Sequence, residues 1–560
     1  MASTTFEAGT VIASDWLNDI NTYTYGMAVF DAKVYGAVAN GVHDDTSSIQ
    51  AAVDACIAAG GGIVSFSSGI YRITDEINLY RSSSPRVDLV VKGNDQFSTI
   101  FYVDFYGADK AVFASWDPLE VSRSSPTSFY DFQVEYASSS GGTNPLVTRV
   151  LGMGESRVAR VRVGASNNSH HRWISAQNLR GDDIVSFYGG KHFNYKNTTG
   201  ITFDVDSGTK IITASSAIFS AGDVGKYFFV LPSNAARRIR YTIAGYTDTT
   251  HVTVTETALT ETGASGVFEP ARCSITAGDN TLVANASVFD NTMVGMTLFI
   301  RKGIAGSYGD ALLRATIASY TNATTVELDI APDNTVTSQF FTCPVMDLGT
   351  VDGYDGSSDV KISKLHIEHY DGVALCAQNT DSYNIAQSKI HGETSPTSTA
   401  GSMAAMWLDD FGGKFDVDFD SSCSLSDSRV YFCNYNDATY FNTVLTRGII
   451  HGEVFKNELF TDAGGYVFIT GLNSYVDFTS PDDMISDANY VADSTDPRIL
   501  LSGFVNMIGD SQPSRYYVGK NTYFEPNGRF RPASSISDTV LSSTITWDST
   551  PPSGIVAKHY

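Results

Sequence analysis

Six times along the chain a six-residue phrase returns, apolar at its first and last positions and polar at its fifth: Phe129–Val134, Val158–Val163, Ile362–Ile367, Ile385–Ile390, Leu425–Val430 and Ile449–Val454. In an extended strand successive side chains point to opposite faces, so the polar fifth residue, next to a buried sixth, should face outward. The copies recur at irregular intervals. A stack of parallel coils tolerates this, because its strands must keep register while the turns between them vary in length. A second strand per coil is expected at Ile184–Phe187, Val373–Cys376, Met406–Leu408 and Tyr466–Ile469.

Such a stack needs a plug at its first coil, where the apolar interior would otherwise meet water. Asp31–Val38 and Asn40–Thr46 lead into a helical spacing that puts Ile49, Ala52, Val53, Cys56 and Ile57 on one face. Asp44 or Asp45 is placed to cap that helix. Gly60, Gly61 and Gly62 stop it, and Ile63–Phe66 and Gly69–Ile73 read as short strands beyond.

Residues 201–345 break the series and carry a duplication of their own: Asp223–Val230 and Thr242–Thr247 are echoed in order by Met293–Ile300 and Thr316–Thr321. Alternating strands and turn residues point to a pair of small antiparallel β modules inserted between two coils, for glycan binding or as decoration. The chain thus divides into an N-terminal arm (1–29), a cap (30–84), a first run of coils (85–200), the insertion (201–345), a second run (346–500) and a closing segment (501–560) rich in Ser, Thr and Pro. The last should cover the lower end, where bare strand edges invite aggregation.

A chain of 560 residues with 42% hydrophobic residues can bury a large core, and no apolar run nears the roughly 18 residues of a membrane span. No membrane insertion is expected. The net charge of −24 argues against nucleic acid as a partner, although a few basic residues can reverse the field of one groove. Residues 1–7 lack a basic stretch followed by an apolar one, so no secretory signal is expected. The six cysteines lack CxxC spacing and read as reduced core thiols. His170-His171, read as a lone pair on a turn, has no metal-ligand spacing, and neither a metal nor another cofactor is expected.

The stretch Tyr35–Gln50 together with Gly69–Ile73 resembles the opening motif of the pectate-lyase-like β-helix superfamily as it occurs in bacteriophage tailspikes, with Asn40 where the familiar form has aspartate. Phe6–Asn21, of pattern FxAGTVxxxxWLNDxN, resembles the virion-attachment segment of phage tail proteins. The resemblance implies an all-β, right-handed parallel β-helix with a short N-terminal capping helix. It implies a homotrimer made in the host cytoplasm and mounted on the phage tail, joined to a baseplate or adaptor protein through the arm. As a polysaccharide depolymerase it would bind and cut the O-antigen or capsule of a bacterium, closing its coils with a C-terminal trimerisation segment.

Coils stack about 4.8 Å apart, so equivalent outward positions form columns. Aligning the phrases gives one column of Glu368, His391, Tyr431 and Phe455 beside another of His366, Lys389, Arg429 and Glu453. Glycoside hydrolysis takes two carboxyl groups roughly 5–9.5 Å apart, and Glu368, Asp371, Glu393, Asp409, Asp410 and Glu453 are the candidates. Glu368 as acid with Asp409 or Asp410 as base or nucleophile is the preferred set. The alternative is β-elimination on a uronate-containing glycan, which needs a base and cations; His366, Lys389, His391, Arg429 and Tyr431 supply them. A third reading is a receptor-binding spike without catalysis, with Tyr370, Trp407, Tyr431, Tyr435 and Tyr440 as stacking platforms for sugars. Substrate contacts are accordingly expected from His366, Tyr370, Lys389, His391, Trp407, Arg429 and Tyr431.

Overall fold

The computed structural model describes residues 27–81, 87–115, 126–137, 141–151, 155–231, 239–256, 260–306, 309–349 and 357–391, followed by strands 402–419, 430–433, 442–445, 449–451, 466–477, 498–507 and 529–532. It is nearly all β, with a single α-helix among the described residues and a large sheet system of parallel pairings, a β-helix-like arrangement.

The parallel strands form three stacks. One runs from Gly62–Ser65 through Leu89–Lys92 and the first halves of Thr127–Tyr136, Arg157–Val163, Arg180–Phe187 and Lys361–Glu368. A second follows the other halves of those longer strands, starting from Gly69–Ile73 and Thr99–Val103. The third holds Ala111–Ser115, Leu146–Leu151, His171–Ile174, Met346–Leu348 and the first part of Gly372–His391.

Each phrase spans two stacks because its third residue turns a corner. Asp131, Arg160, Asp183, Lys364 and Gln387 all have φ between 52° and 63°, the left-handed region. That bend resets the alternation, so positions one, four and six point inward together: Phe129, Phe132 and Val134, then Val158, Val161 and Val163, then Ile362, Leu365 and Ile367 are all buried. A non-glycine residue there costs on the order of 1 kcal/mol, offset by three apolar side chains kept in the core.

The strand Arg180–Phe187 corrects the expectation for Ile184–Phe187. It lies between Arg157–Val163 and Lys361–Glu368 in the phrase register and is not a second strand of its coil. The phrase is disguised there because Gly181 and Ser186 occupy the apolar end positions. The second-strand place belongs to His171–Ile174, so His170 and His171 are not on an exposed turn. Both are fully buried, with His171 Nδ1 2.8 Å from Thr148 Oγ1. Burial pushes His171 down to about 3 and His170 well below the ordinary histidine range.

Helix α1 (Thr46–Ala58) lies against the first strands with Ile49, Ala52, Val53 and Cys56 buried. Asp44 accepts from Thr46 N (3.1 Å) in its first turn and from Thr74 Oγ1 (2.7 Å). Asp45 turns back into the preceding loop, accepting from Val38 N at 2.7 Å and Ala39 N at 3.1 Å. The stop needs glycine: a Cβ at Gly61 or Gly62 would stand 2.5 Å from the carbonyl oxygen of Asp88 or Ala28. Below the helix one continuous apolar core runs from Ala32 to Met406, with Phe66, Phe101, Phe113 and Phe132 in successive contacts of 4.9–5.2 Å, or 5.7 Å for Phe113–Phe132.

Between Tyr188 and Cys343 the chain leaves the stack and builds two closed six-stranded antiparallel barrels, one from Thr202 to Phe268 and one from Arg272 to Thr342. It departs and returns at one antiparallel bridge, Lys191 with Cys343. The second barrel seats on the third stack: Phe299, Leu312 and Phe340 pack with Val373, Cys376 and Trp407. Arg314 grips the fully buried Asp347 through Nη2 at 2.7 Å and Nε at 3.0 Å. Past residue 500 parallel pairing continues, Arg498–Met507 with Tyr466–Asp477 and with Arg529–Pro532.

Candidate functional site

Where the second barrel covers the third stack, outward side chains of the second stay partly exposed among the described residues, His366 at 33% and Lys389 at 43%. The outward column of the second stack brings Val185, His366 and Lys389 into line, and the adjacent column aligns Phe187, Glu368 and His391. These are the fifth residues of successive phrases and their seventh-position neighbours, and the corner at Lys364 and Gln387 is what turns them outward.

His366 Nε2 lies 2.7 Å from Glu368 Oε1, an electrostatic contact in which the ring N–H is not aimed along the O–N line. Lys389 Nζ is 3.6 Å from the same oxygen, and the lysine side chain is 43% exposed against 22% for Glu368. Partial burial pushes the Glu368 carboxyl up. The neighbouring His366 ring, with the charges of Lys389 and His369, outweighs it and holds the carboxyl below the ordinary 4.5. Glu368 is therefore a carboxylate at neutral pH, suited to orient or steady a cation.

Aromatic rings floor the cluster. Phe187 packs 6.2 Å from His366, and His391 meets His366 edge-on at 6.3 Å. Tyr188, 48% exposed, stacks on His369 at 5.0 Å. Both sit at left-handed corners, Tyr188 at φ 51° and His369 at φ 53°, so the stack of rings follows the stack of turns. Nothing in the sequence marks Phe187, Tyr188 or His369 except their distance from the corner residue.

The other expected site residues fall elsewhere. Tyr370 is fully buried in the main core and Trp407 is 1% exposed beneath the second barrel, which corrects their assignment as sugar platforms: neither ring has a free face. Asp371 serves the root of the insertion, accepting from His192 N at 3.2 Å and contacting His192 Nδ1. Asp409 and Asp410 lie in the strand Ser402–Phe419, where Asp409 aligns with Gln378. The register places Glu368 at the end of a second-stack strand and Asp409 beside Gln378, on the strand that pairs with Met346–Leu348 in the third stack.

The column after Lys389 continues to Asp418, and Tyr431 aligns with Trp407 on the third stack, so Tyr431 does not follow the sequence alignment of columns. Arg429, Glu393, Tyr435, Tyr440, Glu453 and Phe455 lie outside the described residues. Among the described residues no group of three or more His, Cys, Asp or Glu side chains is placed to hold a metal ion.

No protein-family model matches the chain. A stretch of 56 residues, 10% of the chain, is 46% identical to mannuronan C5-epimerase AlgE1 of Azotobacter vinelandii, and 102 residues, 16% of the chain, are 35% identical to AlgE5 of the same organism. These matches span only 4% and 10% of the relatives' own length. Among solved structures, the gp42 tailspike of Acinetobacter phage vb_AbaP_AS12 aligns with 93% of this chain and 66% of its own, at 7% identity and a TM-score of 0.38.

Proposed function

We propose that the chain acts on a uronate-bearing bacterial surface polysaccharide held along the open second stack, and that it removes the proton at C5 of a uronate residue. The observation that carries this is the grouping of His366, Glu368, His369, Lys389 and His391 on two adjacent coils of an otherwise acidic chain. The local identity to enzymes named mannuronan C5-epimerases supports a uronate as the sugar.

In this reading Lys389 pairs with the uronate carboxylate and stabilises the charge that develops on it as C5 loses its proton. Glu368 steadies the imidazole of His366, which takes the C5 proton. In elimination the C5–H electron pair becomes the C4–C5 double bond, the C4–O bond breaks, and His391 in its protonated form delivers a proton to the departing oxygen. Solvent then restores both histidines. Return of a proton to C5 from the opposite face would instead give epimerisation.

Support for the wider setting, a homotrimeric right-handed β-helix mounted as a tailspike on a phage virion through residues 1–29, comes from the resemblance of the arm and opening motifs.

The test is digestion of purified uronate-containing capsules and O-antigens. Absorbance of an unsaturated uronate marks elimination, and a changed C5 configuration in the NMR spectrum without that absorbance marks epimerisation. New reducing ends with neither signal would overturn proton abstraction and restore hydrolysis by Glu368 with a second carboxylate.

A further inference from the structure

We infer that Arg162, clamped between Phe97 and Phe187, forms a second carboxylate-binding subsite that holds a non-reacting uronate of the same polymer. This rests on the reading that the open stack carries a uronate chain.

Arg162 is the fifth residue of its phrase and shares a column with Gln133 and Val185, directly below His366 and Lys389. Its guanidinium carbon stands 4.5 Å from the ring centre of Phe187 and 5.7 Å from that of Phe97. Phe97 is 62% exposed, an unusual place for a large apolar ring. It is carried there by the loop between Leu89–Lys92 and Thr99–Val103.

Among the described residues Arg162 makes these ring contacts and no ion pair or hydrogen bond. The acidic side chains on nearby strands and loops make their own contacts, none of them to Arg162. Glu135 accepts from Gln133 Nε2, Arg160 pairs with Asp131, and Asp95 accepts from Phe97 N at 2.9 Å. In a chain of net charge −24 a partly exposed guanidinium with no carboxylate partner among the described residues can take an anion. Stacking between rings fixes its plane while leaving the N–H edge for a carboxylate, a geometry lysine cannot copy.

Two coil steps separate Arg162 from His366, about 10 Å along the stack. Phe187, which touches both Arg162 and His366, makes the floor continuous between them. A polymer with a carboxylate on successive sugars, lying along the stack, would meet Arg162 at one residue and Lys389 at another. A neutral glycan would use only the rings.

The experiment compares wild type, Arg162→Gln, Arg162→Lys and Phe97→Ala, each checked by thermal unfolding, on hexasaccharides of polygalacturonate, alginate and hyaluronan, with maltohexaose as the neutral control. Binding is measured by titration in a His366→Gln background, and turnover in the active one. Arg162→Gln should weaken binding of the preferred uronate oligomer about tenfold and raise KM about as much, with a far smaller fall in kcat; Arg162→Lys should recover only part. Equal binding by wild type and Arg162→Gln, with product still formed, would remove the subsite and leave the reaction standing. Binding that depends on Arg162 without any product would do the reverse. A loss equal for maltohexaose and the uronates would show that Arg162 merely props the rings.

Discussion

On the flank beneath the second barrel, Asp347 is fully buried, with Arg314 at 2.7 Å and Arg172 Nε at 3.5 Å. On the open flank, Glu368 is 22% exposed between His366 and Lys389. Both are single carboxylates among cations at outward positions of the same stack of coils. Burial decides what each does. Desolvated charges hold two bodies together because separating them strands an ion, whereas half-solvated ones keep room for a ligand and titrate within reach of water.

The most damaging break in this contrast is Asp347→Ala, which leaves Arg314 and Arg172 buried without a counter-charge. We expect a loss of about 3–5 kcal/mol in denaturant unfolding of the whole chain. A loss below about 1 kcal/mol would mean that the flank is wetter than its burial indicates.

On the open side, His366→Gln should reduce turnover at least about 100-fold while leaving the unfolding midpoint in place. A coupled fall in stability would mark His366 as structural.

Acid separates interior from flank by its pH window. The folded value of His171 is depressed from 6.5 to about 3, so its stabilising contribution is complete above 6.5 and lost as pH falls from there toward 3. Glu368 is also depressed, from 4.5, so its contribution holds above 4.5 and is lost only as pH drops through its lower folded value. Unfolding midpoints followed between pH 7 and pH 5 should therefore fall less steeply in His171→Leu, with His170 still contributing in the same window, and keep the wild-type slope in Glu368→Gln; the opposite pattern breaks the assignment. The smallest effect belongs to Lys364→Ala, whose partner Asp182 is 3.4 Å away with both side chains about half exposed. A change within about 0.5 kcal/mol is expected.

How much of this was legible follows the same physics. The inward residues of the phrase announced themselves because burial demands apolar side chains at Phe129, Val158, Ile362 and Ile385. The corner did not, since Asp, Arg, Lys and Gln all occupy it and no residue type signals a left-handed turn. Because both phrases share that corner, His366 with Lys389 and Glu368 with His391 fall out as neighbours from the alignment, whereas the column drawn on to Tyr431 does not. Register beyond that point is set by pairing within the long strand Ser402–Phe419, which carries no copy of the phrase. Tyr370 and Trp407 misled for a different reason. A large ring satisfies a core and a sugar equally well, and only packing tells which one it has.

The bridge between Lys191 and Cys343 brings the two ends of a long excursion side by side, hydrogen-bonded in both directions at 2.8 and 3.0 Å. Winding on either side does not depend on what lies between, so a foreign module with adjoining termini could be spliced at this socket without disturbing the pitch. Its outer wall would have to match what it shelters: a graft that left Trp407, Cys376 and Asp347 bare would trade a modular part for a sticky surface.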